Sequence, residues 1–576
     1  MILKRSAELL IFLLILCGDP AAYCQSRENY TAADSLGIAE ITAEEIQSYR
    51  ADFFPLSLAE KGRQSVYSWR GMPPGFLDTY FEDIRLNNPL WGYWDNQHIP
   101  IEIIRKSPVE KFTGIYRLYP VPVSETADPV TRIAYSQDFQ FGLSYLDANH
   151  VQFYRPKSYF RLGGGNFVRD GSAGPFSRIQ MVNYRVQFHH QISEKVSADI
   201  WYWQIRHKFA LAPFPVITED QRFHRIGQVM WFKLTYEPDS TGHLEFMPYG
   251  YKWGDRFQQN NFAIQRKTEL YSAGIKTAYL KKLRTVKYGM EADAIRHKIT
   301  SAFMFRTNEQ WDGRFSGFIE LGNRNLSLRI HGGIWHTADI GTSPEAGLQL
   351  GWKIWRNVEN VFSIFRNAQS LPLAPRAWTG YSISPLTEAQ LPLRQGVSWS
   401  LKLPHLPGIN LELEPYYYKF LEAWYYTPKD SAFVQKDFDN SGIFVRAGMN
   451  PGFFELENEF SYNREKSFSP EMNNVVKLMF PITLFNGNLK LENYGVYHYI
   501  RKWYRLDYDP FINQYTRTNQ LTGPFHLLDI KILAHIKTAT IFLVWDNLLS
   551  EDYVVVDSYY DLYRGFRFGI YWTLFN

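Results

Sequence analysis

The chain has 576 residues, 17% of them aromatic, with a net charge of +4 and a mean hydropathy of −0.32. That length points to several domains or one large closed architecture, and so mild a charge does not support nucleic-acid binding through a basic surface. The only two cysteines, Cys17 and Cys24, lie near the start, which excludes a disulfide scaffold and, after removal of a leader, any thiolate redox or zinc site.

The chain opens "MILKRSAELLIFLLILCGDPAAYCQS". Lys4 and Arg5 precede an apolar run from Leu9 to Leu16, and Ala22-Tyr23-Cys24 has small residues at its two ends. This pattern reads as an export signal cleaved before Gln25, too short to span a membrane. A lipidated cysteine would follow small residues, but Leu16 and Tyr23 precede the two cysteines. Beyond the signal no apolar stretch approaches the length of a spanning helix.

Residues 25–130 are expected to form a small α+β domain. In "ITAEEIQSYR" Thr42 precedes Glu45 by three residues, a capping box that opens a short helix. "PLSLAEKG" reads as a second short helix ending at Gly62. Four elements follow in order: Arg70-Gly71, then Leu86-Asn87-Asn88-Pro89, then Ile99-Pro100, then Ile101-Glu102-Ile103-Ile104-Arg105 with Pro108. This series resembles the plug domain of TonB-dependent outer-membrane receptors. The resemblance makes Arg70, Gly71, Leu86, Asn87, Asn88, Pro89, Ile101 and Glu102 the plug-motif positions. The chain also departs from the pattern. Asp83 stands at the expected turn glycine, and Lys106-Ser107 replaces the glycine before the proline. No room exists between Gly62 and Arg70 for a further plug strand, and "DSLGIAEI" is only a trace of a TonB-contact box. The resemblance is to a shortened plug.

Residues 131–576 alternate at period two, as strands with one apolar face do. "LSLRIHGGI" sets Leu326, Leu328, Ile330 and Ile334 against Arg329 and His331. "LDIKILAHIKT" sets Leu528, Ile530, Ile532 and Ile536 against Asp529, Lys531 and His535. "INLELEP", "GLQLGWKIW" and "FELENEFSY" repeat the pattern. Asn486-Gly487 is the strongest hairpin mark, and Gly322–Asn325 and Asn450–Gly452 are further turns. Long polar connections, Asn367 to Gln395 and Tyr504 to Gly523, separate hairpins. Short turns alternating with long loops suit an all-β transmembrane antiparallel barrel, with about 20–22 strands counted from Phe153. Arg329, His331, Lys531 and His535 are then expected in a wet lumen, since lipid-facing charge is costly.

The end of the chain, "GFRFGIYWTLFN", places Phe566, Phe568, Ile570, Trp572 and Leu574 on one face, with Phe575 penultimate. With Asp546-Asn547-Leu548 before it, this region resembles the closing strands of TonB-dependent receptors and of porins from Bacteroidetes-like bacteria. The resemblance implies a signal read by the barrel-assembly machinery.

Catalysis finds little support. His189 and His190 point to opposite faces of a strand and cannot share a metal. No Gly-x-Ser-x-Gly, His-Glu-x-x-His or Walker pattern occurs. Gly163 to Gly165 reads as a flexible strand rim, and triad partners spread over strands would show only in the fold. "EPYYYKFLEAWYY" reads as an aromatic girdle, with a ligand-stacking platform as the alternative.

The expectation is therefore an outer-membrane transporter, not an enzyme, that takes up an unidentified small solute through a plugged barrel. No cofactor, metal or nucleic acid is expected. Outer-membrane lipid, the barrel-assembly machinery and a TonB complex are the implied partners. A passive porin-like channel with a vestigial plug, a barrel enzyme and a structural subunit are the alternatives.

Overall fold

The computed structural model describes residues 39–574 apart from 124–127, 171–177, 212–220, 260–262, 304, 306–308, 324, 355–357, 380–382, 407, 558 and 560–563. The export signal, both cysteines, most of "DSLGIAEI" and Phe575 lie outside the described residues.

Twenty-two antiparallel strands form one closed barrel. Its first strand, Val130–Asp138, pairs with its last, Gly565–Leu574, with Ala134 opposite Tyr571. The barrel thus begins before Phe153. The outward face of the first strand, Thr131, Ile133, Tyr135 and Gln137, is half polar and hides the strand from an apolar-alternation count. Strand length varies around the wall, from 20 residues at Ala263–Lys282 to 8 at Ala539–Asp546.

Alternation sorts the side chains as expected. On Leu326–Thr337 the outward Ile330 and Ile334 are 49% and 50% exposed, while the inward His331 and Trp335 are each 7% exposed. Lys531 also faces inward and is buried. Short turns join the strands at one end of the barrel. At Phe485–Gly487 all three residues have positive φ, which suits the Asn486-Gly487 pair. Longer connections gather at the other end.

The lumen is filled. Helix Ala43–Ser48 begins with the anticipated capping box of Thr42 and Glu45. The expected second helix is instead a hairpin. Phe53–Ser57 pairs with Ser65–Trp69, and the chain reverses at Ala59 and Gly62, both with positive φ. Phe53, Phe54 and Leu56 bury large side chains against the plug and wall, so tertiary burial overrides local helix preference. Asp78–Phe81 lies between Ile84–Arg85 and Ile115–Pro120, which also pairs with Ile104–Lys106 and Val109–Glu110. Phe81 packs against Trp201 and Trp231 of the barrel wall, with ring centroids 5.3 and 5.8 Å away.

The two long connections fold inward. In the first, Leu373 and Ala374 donate backbone hydrogen bonds to Pro89 and Leu90. The second forms a hairpin, Trp503–Asp509 with Gln514–Thr522, and Asn513 accepts from Tyr93 at 2.6 Å.

Gly569 lies on the inner side of the closing seam. A Cβ there would sit 2.1 Å from the Tyr135 carbonyl oxygen and 2.2 Å from the Phe542 ring. The backbone carbonyl cannot swing away as a side chain can, so Gly569→Val is expected to destabilise the barrel by about 3 kcal/mol or more. Loss of the compact, fast-migrating form in unheated detergent gels would report this; unchanged mobility and melting would contradict it.

Candidate functional site: the seat of the plug

Arg70 and Gly71 end the plug strand Ser65–Trp69 at the barrel wall, both with positive φ. Arg70 is fully buried and donates two 2.9 Å hydrogen bonds to Glu414 on the wall strand Ile409–Thr427. Its guanidinium lies over the Trp69 and Tyr416 rings, 4.8 and 4.5 Å from their centroids. Lys111 also pairs with Glu414. Gly71 is needed at this contact, because a Cβ would stand 2.4 Å from the Asn440 amide nitrogen, which donates to the Arg70 carbonyl. A second wall carboxylate, Glu459, accepts from the Ala51 backbone and pairs with Arg446 and Lys477.

Leu86, Asn87, Asn88 and Pro89 form the turn that ties the plug together. Leu86 is buried. Asn87 accepts from the Thr79 backbone at 2.7 Å and donates to the Gly92 carbonyl at 2.9 Å. Asn88 accepts from the Leu90 backbone, and the Pro89 carbonyl receives the inward-folded connection.

Ile101 is buried, and Glu102 faces the first wall strands. The Tyr145 hydroxyl donates to Glu102 at 3.0 Å, and Asp147 nearby pairs with Arg185 at 2.6 Å. Burial first, then the Asp147 carboxylate, pushes Glu102 up to about 8. Gly163 and Gly165 belong here rather than at a rim. They lie inside the strand Ser158–Arg169, where a Cβ would collide with Arg185 and Asp147 respectively.

Several anchors had no sequence signal, because most of them join residues more than a hundred positions apart. Glu45 caps its helix with one carboxylate oxygen and with the other meets Lys61 and Arg567, both at 2.6 Å. Lys61 also reaches Asp546, and Lys531 pairs with Glu40. Asp95, His98 and His207 are the one metal-sized cluster among the described residues. Arg225 supplies the cation for Asp95 at 3.2 Å, and His98 hydrogen-bonds His207 at 3.1 Å. Burial pushes His98 down to about 3, so this cluster reads as a neutral histidine pair beside an ion pair.

The aromatic stretch departs from the girdle expectation. Tyr416, Tyr418 and Phe420 are buried on the inner face, while Tyr417 is 41% exposed outside. Trp69 and Phe76 of the plug pack on Tyr418, and Phe76 also meets Phe420. A continuous aromatic run on a strand must divide between its two faces. The terminal motif, by contrast, keeps to one face of the wall. Phe566, Phe568, Ile570, Trp572 and Leu574 alternate with the inward Arg567 and Gly569, and Trp572 is 43% exposed.

His189 pairs with Asp199 at 2.8 Å, and His190 lies beside Tyr154. Ser272, His297 and Asp312 form a series on neighbouring strands, with Ser272 Oγ 2.7 Å from His297 Nδ1 and His297 Nε2 3.6 Å from Asp312. All three are buried, and Asp312 also accepts from Gln310, Thr337 and Ser370. The series therefore anchors the inward-folded connection that carries Ser370.

Plug and wall enclose a cavity of about 910 Å³ towards the short-turn end. Glu82, Asp83, Arg105, Lys106 and Arg117 line it from the plug, with Lys276, Glu291 and Arg314 among its wall residues. Asp83, at the place of the expected turn glycine, meets Arg117 at 3.1 Å; the positive φ falls on Glu82 instead. A second recess of about 290 Å³ shares Glu110, Thr113 and Arg329 with the first. At the long-connection end Trp378 packs against Phe305, Phe433 and Phe511, forming an aromatic cap.

No known sequence-family profile matches the chain, and neither does any curated protein sequence. Solved structures do match in fold, receptors and transporters among them. The siderophore receptor PirA from Acinetobacter baumannii has a TM-score of 0.72 at 10% identity, over 95% of this chain and 100% of that one. The FrpB iron transporter from Neisseria meningitidis gives 0.76 at 9% identity, over 95% and 99%. The ferric enterobactin receptor PfeA from Pseudomonas aeruginosa, with enterobactin bound, gives 0.75 at 10% identity, over 94% and 99%. The chain thus has the plugged 22-strand barrel fold expected from its resemblance to TonB-dependent receptors.

Two predictions follow from the seat. Glu414→Gln leaves Arg70 buried without its counter-ion and is expected to cost about 3–5 kcal/mol, with Arg70→Met/Glu414→Met recovering much of it. Equal melting of both variants would contradict this. Glu102 binds its proton more tightly in the folded chain than in the unfolded one, so its stabilising contribution is full below about 4.5 and is lost as pH rises through about 8. Melting between pH 5 and 9 should fall more steeply in the wild type than in Glu102→Gln; matching slopes would refute the assignment.

Proposed function

We propose that the protein is an outer-membrane transporter that admits a small polar solute through its barrel when the plug shifts. One observation carries this reading. The plug is seated by ion pairs against the wall, sealed by aromatic rings at the loop end, and bordered by a charged cavity at the turn end. Movement of the plug segment around Glu82 and Arg117 would join that cavity to the loop end.

The similar proteins are described as siderophore, ferric enterobactin and iron transporters or receptors. For this chain the mixed acids and bases around the cavity favour a hydrated polar cargo. The first described residues, at Glu40 and Glu45, are held by Lys531, Lys61 and Arg567. A pull on the N-terminal segment, as the TonB resemblance implies, would act first on these pairs. A barrel-enzyme role has less support, since no cavity described above reaches Ser272.

Planar-bilayer conductance of the full-length mature protein tests the reading. The wild type is expected to be silent. Glu45→Gln/Glu414→Gln, which removes two anchors, is expected to open intermittently. Steady conductance in the wild type would favour the passive-channel alternative.

A further inference from the structure

We propose that a recess between plug and wall binds a primary aralkyl ammonium ion, with its charge on Asp529 and its ring among apolar side chains. The recess is separate from the charged cavity at the short-turn end. Binding there does not depend on whether the barrel conducts.

Plug helix Ala43–Ser48 and plug strand Phe53–Ser57 form one side of the recess. The other side is the wall at Asn473, Ile500, Leu527 and Asp546, near the ends of their strands at the long-connection end of the barrel. The volume is about 150 Å³. An apolar cavity of about 150 Å³ can hold a benzene ring. Phe54, Ile500, Leu527 and Val555 provide such a lining, and Phe54, Ile500 and Val555 are buried.

Charge then sets the class of ligand. Lys61 meets Glu45 at 2.6 Å and Asp546 at 2.5 Å, Arg567 meets Glu45 at 2.6 Å, and Lys531 pairs with Glu40. Asp529 stands outside these pairs. Among the described residues no lysine or arginine lies within ion-pair distance of it. Its Oδ1 accepts from the Asn547 backbone N–H at 2.8 Å. The His498 Nε2 is 3.8 Å from Oδ2, beyond hydrogen-bond reach. The Asn547 bond explains a polar side chain at this position, but the amide oxygen of an asparagine would accept it equally well. A carboxylate in so enclosed a place calls for a cation, and Oδ2 is the oxygen left to hold one. The Asp529 side chain is 16% exposed, so a ligand can reach it.

One open carboxylate oxygen beside apolar walls offers too few ligands for calcium or magnesium. A guanidinium prefers two free oxygens in a fork, and Oδ1 is already engaged. A primary ammonium is a compact charge that one oxygen can hold. The apolar lining takes the aryl group that the ammonium carries, and the Phe54 and Tyr553 rings border the same space.

Isothermal titration calorimetry of the full-length mature protein in mild detergent tests the site. The probes are 2-phenylethylammonium, the uncharged 2-phenylethanol and the ringless methylammonium. The wild type is expected to bind 2-phenylethylammonium saturably, and the other two at least tenfold more weakly. Asp529→Asn keeps the Asn547 bond and removes the charge, so it is expected to lose about tenfold or more in affinity for 2-phenylethylammonium. Unheated gel mobility checks that the variant barrel is folded; if it is not, the wild-type preference for the ammonium over the alcohol decides alone. Absence of saturable binding by the wild type would overturn the site. So would equal binding by folded Asp529→Asn, or equal binding of 2-phenylethanol. Methylammonium binding as tightly as 2-phenylethylammonium would overturn the aralkyl assignment.

Discussion

The structure depends on closing one sheet. A spanning wall has no water for its backbone groups on the hydrocarbon side, so an open edge would leave a row of N–H and C=O groups unpaired. The pairing of Val130–Asp138 with Gly565–Leu574 removes that edge. Closure explains how the strand Gly565–Leu574 can present an aromatic and aliphatic outward side. That side needs no further layer of protein if hydrocarbon covers it. It also explains the glycine at 569, where two backbones and the Phe542 ring meet too closely for a side chain.

Closure at 22 strands creates the next constraint, because a lumen that wide does not fill itself with barrel side chains. The plug fills it, and much of the contact is charged. Arg70 with Glu414, and Glu45 with Arg567, are buried across the plug–wall boundary. Such pairs add little net stability over apolar packing, yet losing one partner is costly. They suit an element that needs one defined seat. They also suit an element that leaves it, since separated ions can be rehydrated from the adjacent cavity, whereas exposed apolar surface would resist separation.

The two ends of the barrel differ for a related reason. Short turns leave the lumen open around Arg105, Lys106 and Arg117, while the long connections have enough chain to fold back. Leu373 and Asn513 bring those connections onto the plug, and Trp378 closes the gap with rings. The dense tyrosine stretch around Tyr417 shows the same economy of alternation, with one set of rings outside and the next set gripping the plug.

Period-two patterning, the Thr42–Glu45 capping box and the Asn486-Gly487 turn were legible because each is decided by residues close in sequence. A single lipid-facing or lumen-facing side chain follows from alternation alone, as Ile330 and His331 illustrate. The hairpin at Phe53–Trp69 was not legible, because burial of Phe53 and Leu56 overrode a local helix-like composition. Nor were Glu414, Asp546 or Arg567 distinguishable from other wall charges. Their roles arise only when closure brings strands from the two ends of the chain around Arg70, Lys61 and Glu45. The sequence by itself determined the wall, its two faces and the candidate plug elements, since these follow from local alternation and turn chemistry. The tertiary structure alone decided which charges meet, which aromatics face inward and which end of the lumen is sealed, because those depend on ring closure and on contacts spanning hundreds of residues.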